Sequence, residues 1–160
     1  MKRWIVPLVC LASVAACDKK EPSPTPAASA AAPDLGAKYA AMTPDQRVRA
    51  ARSACLVGDD CDPKTAEALL GAAKDAKERE SLAGAARPAF ASQYQRALDA
   101  KGKKADAVVA DGDKLVVKGS ACTRFLLENF LGGAEHGSAK ALGFRRIECD
   151  SKALKAGADL

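Results

Sequence analysis

The stretch ADAVVADGDKLVVKG, residues 105–119, decides the fold because its apolar residues change from helical to strand-like spacing. Two short apolar runs flank Asp111-Gly112-Asp113, and a glycine-containing turn between such runs predicts a β-hairpin. We expect an odd-length loop with a bulge at Gly112, because a three-residue loop pairs Asp106 with Lys118. A two-residue loop would instead set Asp106 beside Val117. The preferred register places four apolar residues on one face: Ala107, Val109, Leu115 and Val117.

The chain after the hairpin predicts a helical crossover and a third strand. A helix is expected to begin at Ser120 or Thr123, and a short second helix to cover 138–142. Gly143 then suits a left-handed helix end, and residues 145–149 alternate as a strand does. A right-handed crossover makes the second and third strands parallel. The residues expected to face inward from the first of these helices are Leu127, Phe130, Leu131 and Ala134.

The chain before the hairpin carries helix-start signals. Thr43-Pro44-Asp45-Gln46 combines an N-cap, a proline at the first helical position and a capping-box glutamine, and Asp62-Pro63 repeats the cap and proline. Residues 43–80 are therefore predicted to form a helical hairpin with a charged, solvated end. Pro88 is expected to start a third helix that ends at Gly102. The buried face predicted for that helix consists of Phe90, Tyr94, Ala97 and Leu98.

These patterns together predict an α+β fold. It consists of an N-terminal helical hairpin followed by an α-β-β-α-β unit with a small three-stranded mixed sheet. The expected boundaries are 35–86 for the hairpin segment and 87–160 for the mixed unit, and the two pack as one domain.

The first residues carry the pattern of a bacterial export signal. Lys2 and Arg3 precede an apolar segment, Trp4 to Ala16, that is shorter than the about 20 residues needed to span a bilayer as a helix. Val14-Ala15-Ala16-Cys17 then resembles the lipobox of bacterial lipoproteins. The resemblance implies a signal peptide at 1–16, cleavage before Cys17 and a diacylglycerol on its thiol. The pattern more often has leucine where this chain has Val14.

Residues 17–34 are predicted to be the lipidated cysteine and a disordered tether. Four prolines lie there among alanine and serine, and proline favours an extended chain rising about 3.1 Å per residue. The tether would hold the folded part roughly 50 Å from the lipid. In some Gram-negative lipoproteins, an aspartate at the position of Asp18 implies inner-membrane retention. The expected location is the cell envelope, lipid-anchored and facing the periplasm or exterior, with the inner membrane favoured.

Four cysteines fall in the folded part: Cys55, Cys61, Cys122 and Cys149. An even number in an exported domain predicts disulfides, for which three connectivities are open. We prefer Cys55 with Cys61, which closes a short loop, and Cys122 with Cys149, which ties the crossover helix to the last strand. The second bridge needs Cα atoms about 4.4–6.8 Å apart, which is easy if the second and third strands are neighbours.

The remaining polar residues match no common site. Removing 1–16 lowers the net charge from +5 to +3 by the loss of Lys2 and Arg3, too mild a charge for a nucleic-acid partner. His136 is the sole histidine, expected in an exposed glycine-flanked break, and the cysteine spacing matches no zinc template. The acidic run 59–62 lacks the calcium-loop pattern, and Lys101, Lys103 and Lys104 are interpreted as solvated. We expect no catalytic residues, metal or cofactor.

The predicted function is that of a membrane-anchored, non-enzymatic binding or assembly module of the envelope. The Leu-x-Val strand, the helix beginning near Cys122 and the strand Gly-Phe-Arg-Arg-Ile-Glu-Cys resemble small uncharacterised bacterial envelope lipoproteins. This resemblance spans about 60 residues and brings no catalytic residues with it. The open sheet edge is a candidate surface for a protein partner. Two alternatives stay open: a small periplasmic enzyme or ligand-binding protein with a site of scattered residues, and a purely structural envelope protein.

Overall fold

A computed structural model describes residues 34–160, so the predicted signal peptide, Cys17 and nearly all of the tether lie outside the described residues. The described residues belong to one compact unit. Six helices and a four-stranded mixed sheet occur along them, so the predicted α+β class is confirmed. The elements are α1 (Leu35–Ala40), α2 (Pro44–Ser53), α3 (Thr65–Gly71), α4 (Ala76–Ala100), β1 (Ala107–Asp111), β2 (Lys114–Lys118), α5 (Arg124–Gly132), α6 (Ala134–Ala141), β3 (Arg146–Asp150) and β4 (Lys155–Asp159).

The sheet has the order β1-β2-β3-β4. The outer pairs, β1 with β2 and β3 with β4, are antiparallel, and β2 lies parallel to β3 as the crossover predicted. The prediction of three strands was wrong, because it missed β4. The sequence of β4, Lys-Ala-Gly-Ala-Asp, contains no β-branched or aromatic residue, so its strand propensity is low.

The register of the β1–β2 hairpin also differs from the prediction. Asp111 lies opposite Lys114, so the loop is the two residues Gly112 and Asp113. Gly112 has a φ of +59°, which a two-residue hairpin turn accepts at its first central position. Val108 therefore lies opposite the buried Val117, where the predicted register places Ala107, and Val108 takes the core-facing position that was expected of Val109. Val109 points to the uncovered face of the sheet and is 39% exposed.

The helices before the sheet pair differently from the predicted hairpin. Helix α2 packs mainly on α4, whereas α3 packs on α1, α6 and α4. Pro88 lies inside α4 rather than at its start, and the charged segment expected to be a helix end belongs partly to the first turns of α4. The predicted boundary between 86 and 87 also falls within this helix. Packing along 25 residues overrides the local preference of one proline.

Local end signals were predicted well. Thr43 and Gln46 form both hydrogen bonds of a capping box, and Thr123 caps α5 through the backbone N–H of Leu126. Gly143 has a φ of +75°, and the N–H of Phe144 donates to the Ala139 carbonyl. These signals set the start of α2, the start of α5 and the end of α6, and helices α4 and α5 pack against the sheet to form the core. The aromatic centre of that core consists of Phe90, Tyr94, Phe130 and Phe144.

Candidate binding cavity

A cavity of about 500 Å³ lies between the loop 54–63, the C-terminal half of α4 and the start of α6. Leu56, Val57 and Ala97 supply apolar parts of the wall, and Cys61 also lines the cavity on the side of the loop. The volume falls within the range of small-molecule sites, roughly 300–1,000 Å³. The shape of this cavity depends on how the loop is held.

Gln93 holds the loop from α4. Its Oε1 accepts hydrogen bonds from the backbone N–H groups of Leu56 and Val57 at 2.6 and 2.8 Å, and its Nε2 donates to the Ala54 carbonyl. Leu56 and Val57 are buried, so no open water surface is available to replace these partners. The amide therefore supplies the partners of three backbone groups. Sequence spacing gave no sign of this role, because a glutamine on a helix ordinarily faces solvent.

The rim of the cavity is charged, with Asp59 on the loop, Arg96 and Lys101 near α4, and Glu135 on α6. Lys101 Nζ lies 3.7 Å from Glu135 Oε1. Tyr94 of α4 is buried in the core, where burial first and the Glu135 charge second raise its pKa, so the phenol stays neutral at physiological pH. The arrangement suits a ligand with an apolar body and polar ends.

The sole histidine does not join this rim. His136 lies in α6 and is half-buried, whereas an exposed break was predicted. Its Nε2 is buried and has no hydrogen-bond partner among the described residues. The cause of the difference is that α6 starts at Ala134 and continues through Gly137, since the glycine-flanked segment packs on α3 and α5.

The two cysteine pairs are those preferred from the sequence. Cys55 and Cys61 have Cα atoms 5.3 Å apart, as do Cys122 and Cys149. Both pairs lie at disulfide distance, which supports the predicted disulfide bonds. The first pair closes the loop beside the cavity. The second is buried and joins the segment before α5 to β3, whose neighbour is β2.

The other polar residues singled out from the sequence have structural surroundings. Asp62 accepts the Lys64 N–H at 2.8 Å in a turn before α3, but it does not cap that helix, whose N-cap is Lys64. Lys103 Nζ lies 4.9 Å from the ring centre of the exposed Phe125. Within residues 34–160, no three His, Cys, Asp or Glu side chains form a group that could hold a metal ion. In the same range, no helix is both long and apolar enough to cross a bilayer.

Comparison with known proteins gives no family for the chain. No protein-family model matches it. No curated protein and no solved structure matches it either.

Proposed function

We propose that this protein is a lipid-anchored binding module of the bacterial envelope, with no enzymatic activity. The observation that carries the proposal is the run of two cations, an apolar segment and Val14-Ala15-Ala16-Cys17. Two or more acyl chains on Cys17 would hold the chain stably at a membrane, since each buried methylene contributes about 0.8 kcal/mol. The tether 18–34 would then carry the compact unit away from the lipid surface.

The compact unit supports a binding role through two surfaces. One is the cavity beside the disulfide-closed loop, whose wall is held by Gln93. The other is the uncovered face of the sheet, where Lys114 and Arg146 lie 3.0 and 3.2 Å from Glu148. Glu148 thus pairs across strands with Lys114 and along β3 with Arg146, and a surface of paired charges fits recognition of another envelope molecule.

The anchor is tested by intact mass of the full-length chain extracted from bacterial membranes. We expect a chain that begins at Cys17 and carries two or three acyl groups. Cys17→Ala should release it from the membrane fraction, and Cys10→Ala, which changes the cysteine within the apolar segment, should not. An unmodified chain that begins at another residue, or one that stays membrane-bound after Cys17→Ala, would refute the proposal.

A second candidate function, binding of a small ligand, is favoured by the volume and mixed lining of the cavity. Native mass spectrometry of the membrane-extracted protein should then show an adduct of small mass. Ala100→Trp, on the cavity wall, should abolish the adduct. Ser92→Trp, exposed on α4 and absent from the wall, should keep it. An adduct that survives Ala100→Trp would place binding elsewhere.

A further inference from the structure

We propose that β4 pairs antiparallel with β4 of a second copy of this chain, centred on Gly157, and so joins two four-stranded sheets into one of eight strands. The partner follows from the edge itself, through its unpaired backbone groups and the order of its side chains. The inference does not depend on the lipid anchor.

The outer edge of β4 has hydrogen-bonding groups to offer. The Leu160 N–H donates to the Arg145 carbonyl and the Leu154 carbonyl accepts from Ser151, so the even-numbered residues of this segment point their backbone groups toward β3. Backbone groups alternate along a strand, so those of Lys155, Gly157 and Asp159 point outward. Within residues 34–160 no further strand lies on that side.

The opposite edge of the sheet is partly covered. The Val108 N–H in β1 donates to Gln95 Oε1 of α4 at 3.2 Å, and α4 packs along this strand. A helix over an edge blocks the approach of another strand. Helix α5 contacts β4, but no described residue hydrogen-bonds the outward backbone groups of β4, so β4 is the freer edge for strand addition.

The sequence of the β4 edge is complementary to itself. Residues 154–160 read Leu-Lys-Ala-Gly-Ala-Asp-Leu, which is symmetric about Gly157 except that a cation at one end faces an anion at the other. Antiparallel pairing on that centre sets Lys155 opposite Asp159 of the second copy, twice by symmetry. It also sets Leu154 opposite the second Leu160, and both leucines lie half-buried against the core.

The charged ends are available to a second copy. The side chains of Lys155 and Asp159 are each 83% exposed. Within the chain, Lys155 contacts Asp150 at 3.7 Å and Asp159 contacts Arg146 at 2.6 Å. These contacts still leave most of each side chain exposed to solvent. Cross-strand pairs of opposite charge stabilise a sheet and like charges destabilise it, so the edge favours pairing with its own copy and disfavours pairing when only one of the two charges is reversed.

Charge exchange tests the pairing with the full-length chain in density-matched detergent, by sedimentation equilibrium. Lys155→Asp alone and Asp159→Lys alone each set two like-charged pairs across the interface. We expect the dimer Kd to rise by roughly tenfold to a hundredfold in each. An equal mixture of these two variants restores both opposite-charge pairs in a mixed dimer, and so does the double variant. Both are expected to return close to the wild-type Kd.

The mixture separates pairing from damage to one chain. Each variant repels its own neighbour, Asp150 or Arg146, whether or not it is mixed, so recovery on mixing reports only the contact between chains. Wild-type protein that stays monomeric at the highest concentration reached overturns the proposal. The proposal is also overturned if either single variant dimerises with the wild-type Kd, or if the mixture of the two has a dimer Kd no lower than that of each variant alone.

A crosslink at the symmetry axis gives an independent measurement in membranes. Two facing residues in a hydrogen-bonded antiparallel pair have Cα atoms about 5.5 Å apart, within disulfide reach. Gly157→Cys should therefore give a reducible dimer on oxidation. The atoms nearest to a side chain there belong to the guanidinium group of Arg146, the end of a flexible side chain that can move. Val109→Cys, on β1, is the matched control, because seven strand spacings of about 4.8 Å separate its two copies. Equal crosslinking of both variants would contradict the pairing.

Discussion

Replacing Gln93 by leucine should destabilise the compact unit far more than the same change at Gln95. Gln93 bonds three backbone groups of the loop 54–57, whereas Gln95 bonds one, the Val108 N–H. At a net contribution of about 1 kcal/mol per hydrogen bond, Gln93→Leu should lower the free energy of unfolding by about 3 kcal/mol and Gln95→Leu by about 1. Leucine keeps most of the side-chain volume, so lost polar partners are the main change.

Chemical denaturation of the oxidised protein measures this difference, and about 3 kcal/mol corresponds to a Tm lower by about 10 °C in a domain of this size. Hydrogen exchange supplies the local readout. The amides of Leu56 and Val57 should lose protection in Gln93→Leu and keep it in Gln95→Leu. Equal destabilisation by the two variants, or unchanged protection of Leu56 and Val57, would refute the role given to Gln93.

Three further predictions follow from single contacts. Replacing Cys122 and Cys149 by alanine should lower the free energy of unfolding by about 3.5 kcal/mol, because this disulfide closes a loop of 27 residues. Replacing Cys55 and Cys61, which close a loop of 6 residues, should lower it by about 2 kcal/mol. Chemical denaturation of the two double variants measures both values. A hydrogen bond from the Lys74 backbone N–H first, and Arg47 second, lower the pKa of Glu78, so the ionised carboxylate stabilises the fold at pH values above its ordinary pKa, and this stability is lost as the pH falls through the lowered pKa. In denaturation at a series of pH values, Glu78→Gln should therefore show a smaller loss of stability on the acid side than wild type. An unchanged loss would contradict the role of Glu78. Pro88→Ala should raise the free energy of unfolding by about 2 kcal/mol, because the alanine N–H restores a hydrogen bond inside α4 and this gain exceeds the loss from a more flexible unfolded chain. A Tm no higher than that of wild type would count against this prediction.

The sequence predicted those features that depend on a few adjacent residues. The capping box at Thr43, the glycine end at Gly143 and the hairpin between 107 and 117 each depend on such a local signal. The register of that hairpin depends instead on which valine reaches the core, and both registers offer an alternating apolar face. Gly112 supports a two-residue turn, and the tertiary packing of Val108 selects it.

The roles of Gln93 at the candidate cavity and of Arg47 between α2 and α4 were missed because their signals are tertiary. Gln93 looks like any helical glutamine until the loop 54–57 is placed against it. Arg47 is 1% exposed, although arginine is among the residues least often buried, and its partners are the Met42 carbonyl and Glu78 in α4. Arg47 and Glu78 lie 31 residues apart, so no short stretch of the sequence, of the length used to recognise a helix or a turn, contains both residues.

The strand that escaped sequence analysis is also the one whose edge is free, and one composition accounts for both facts. Ala-Gly-Ala at the centre of β4 has little strand propensity, so β4 depends on β3 for its order. The same small residues leave the outer backbone of β4 open to close approach. Edge strands commonly carry charges that oppose any added strand. Here the charges lie only at Lys155 and Asp159, so parallel pairing brings like charges together and a slip of two residues separates the opposite ones. The proposed antiparallel register matches both, so two exposed side chains are sufficient to specify orientation and register at an otherwise featureless edge.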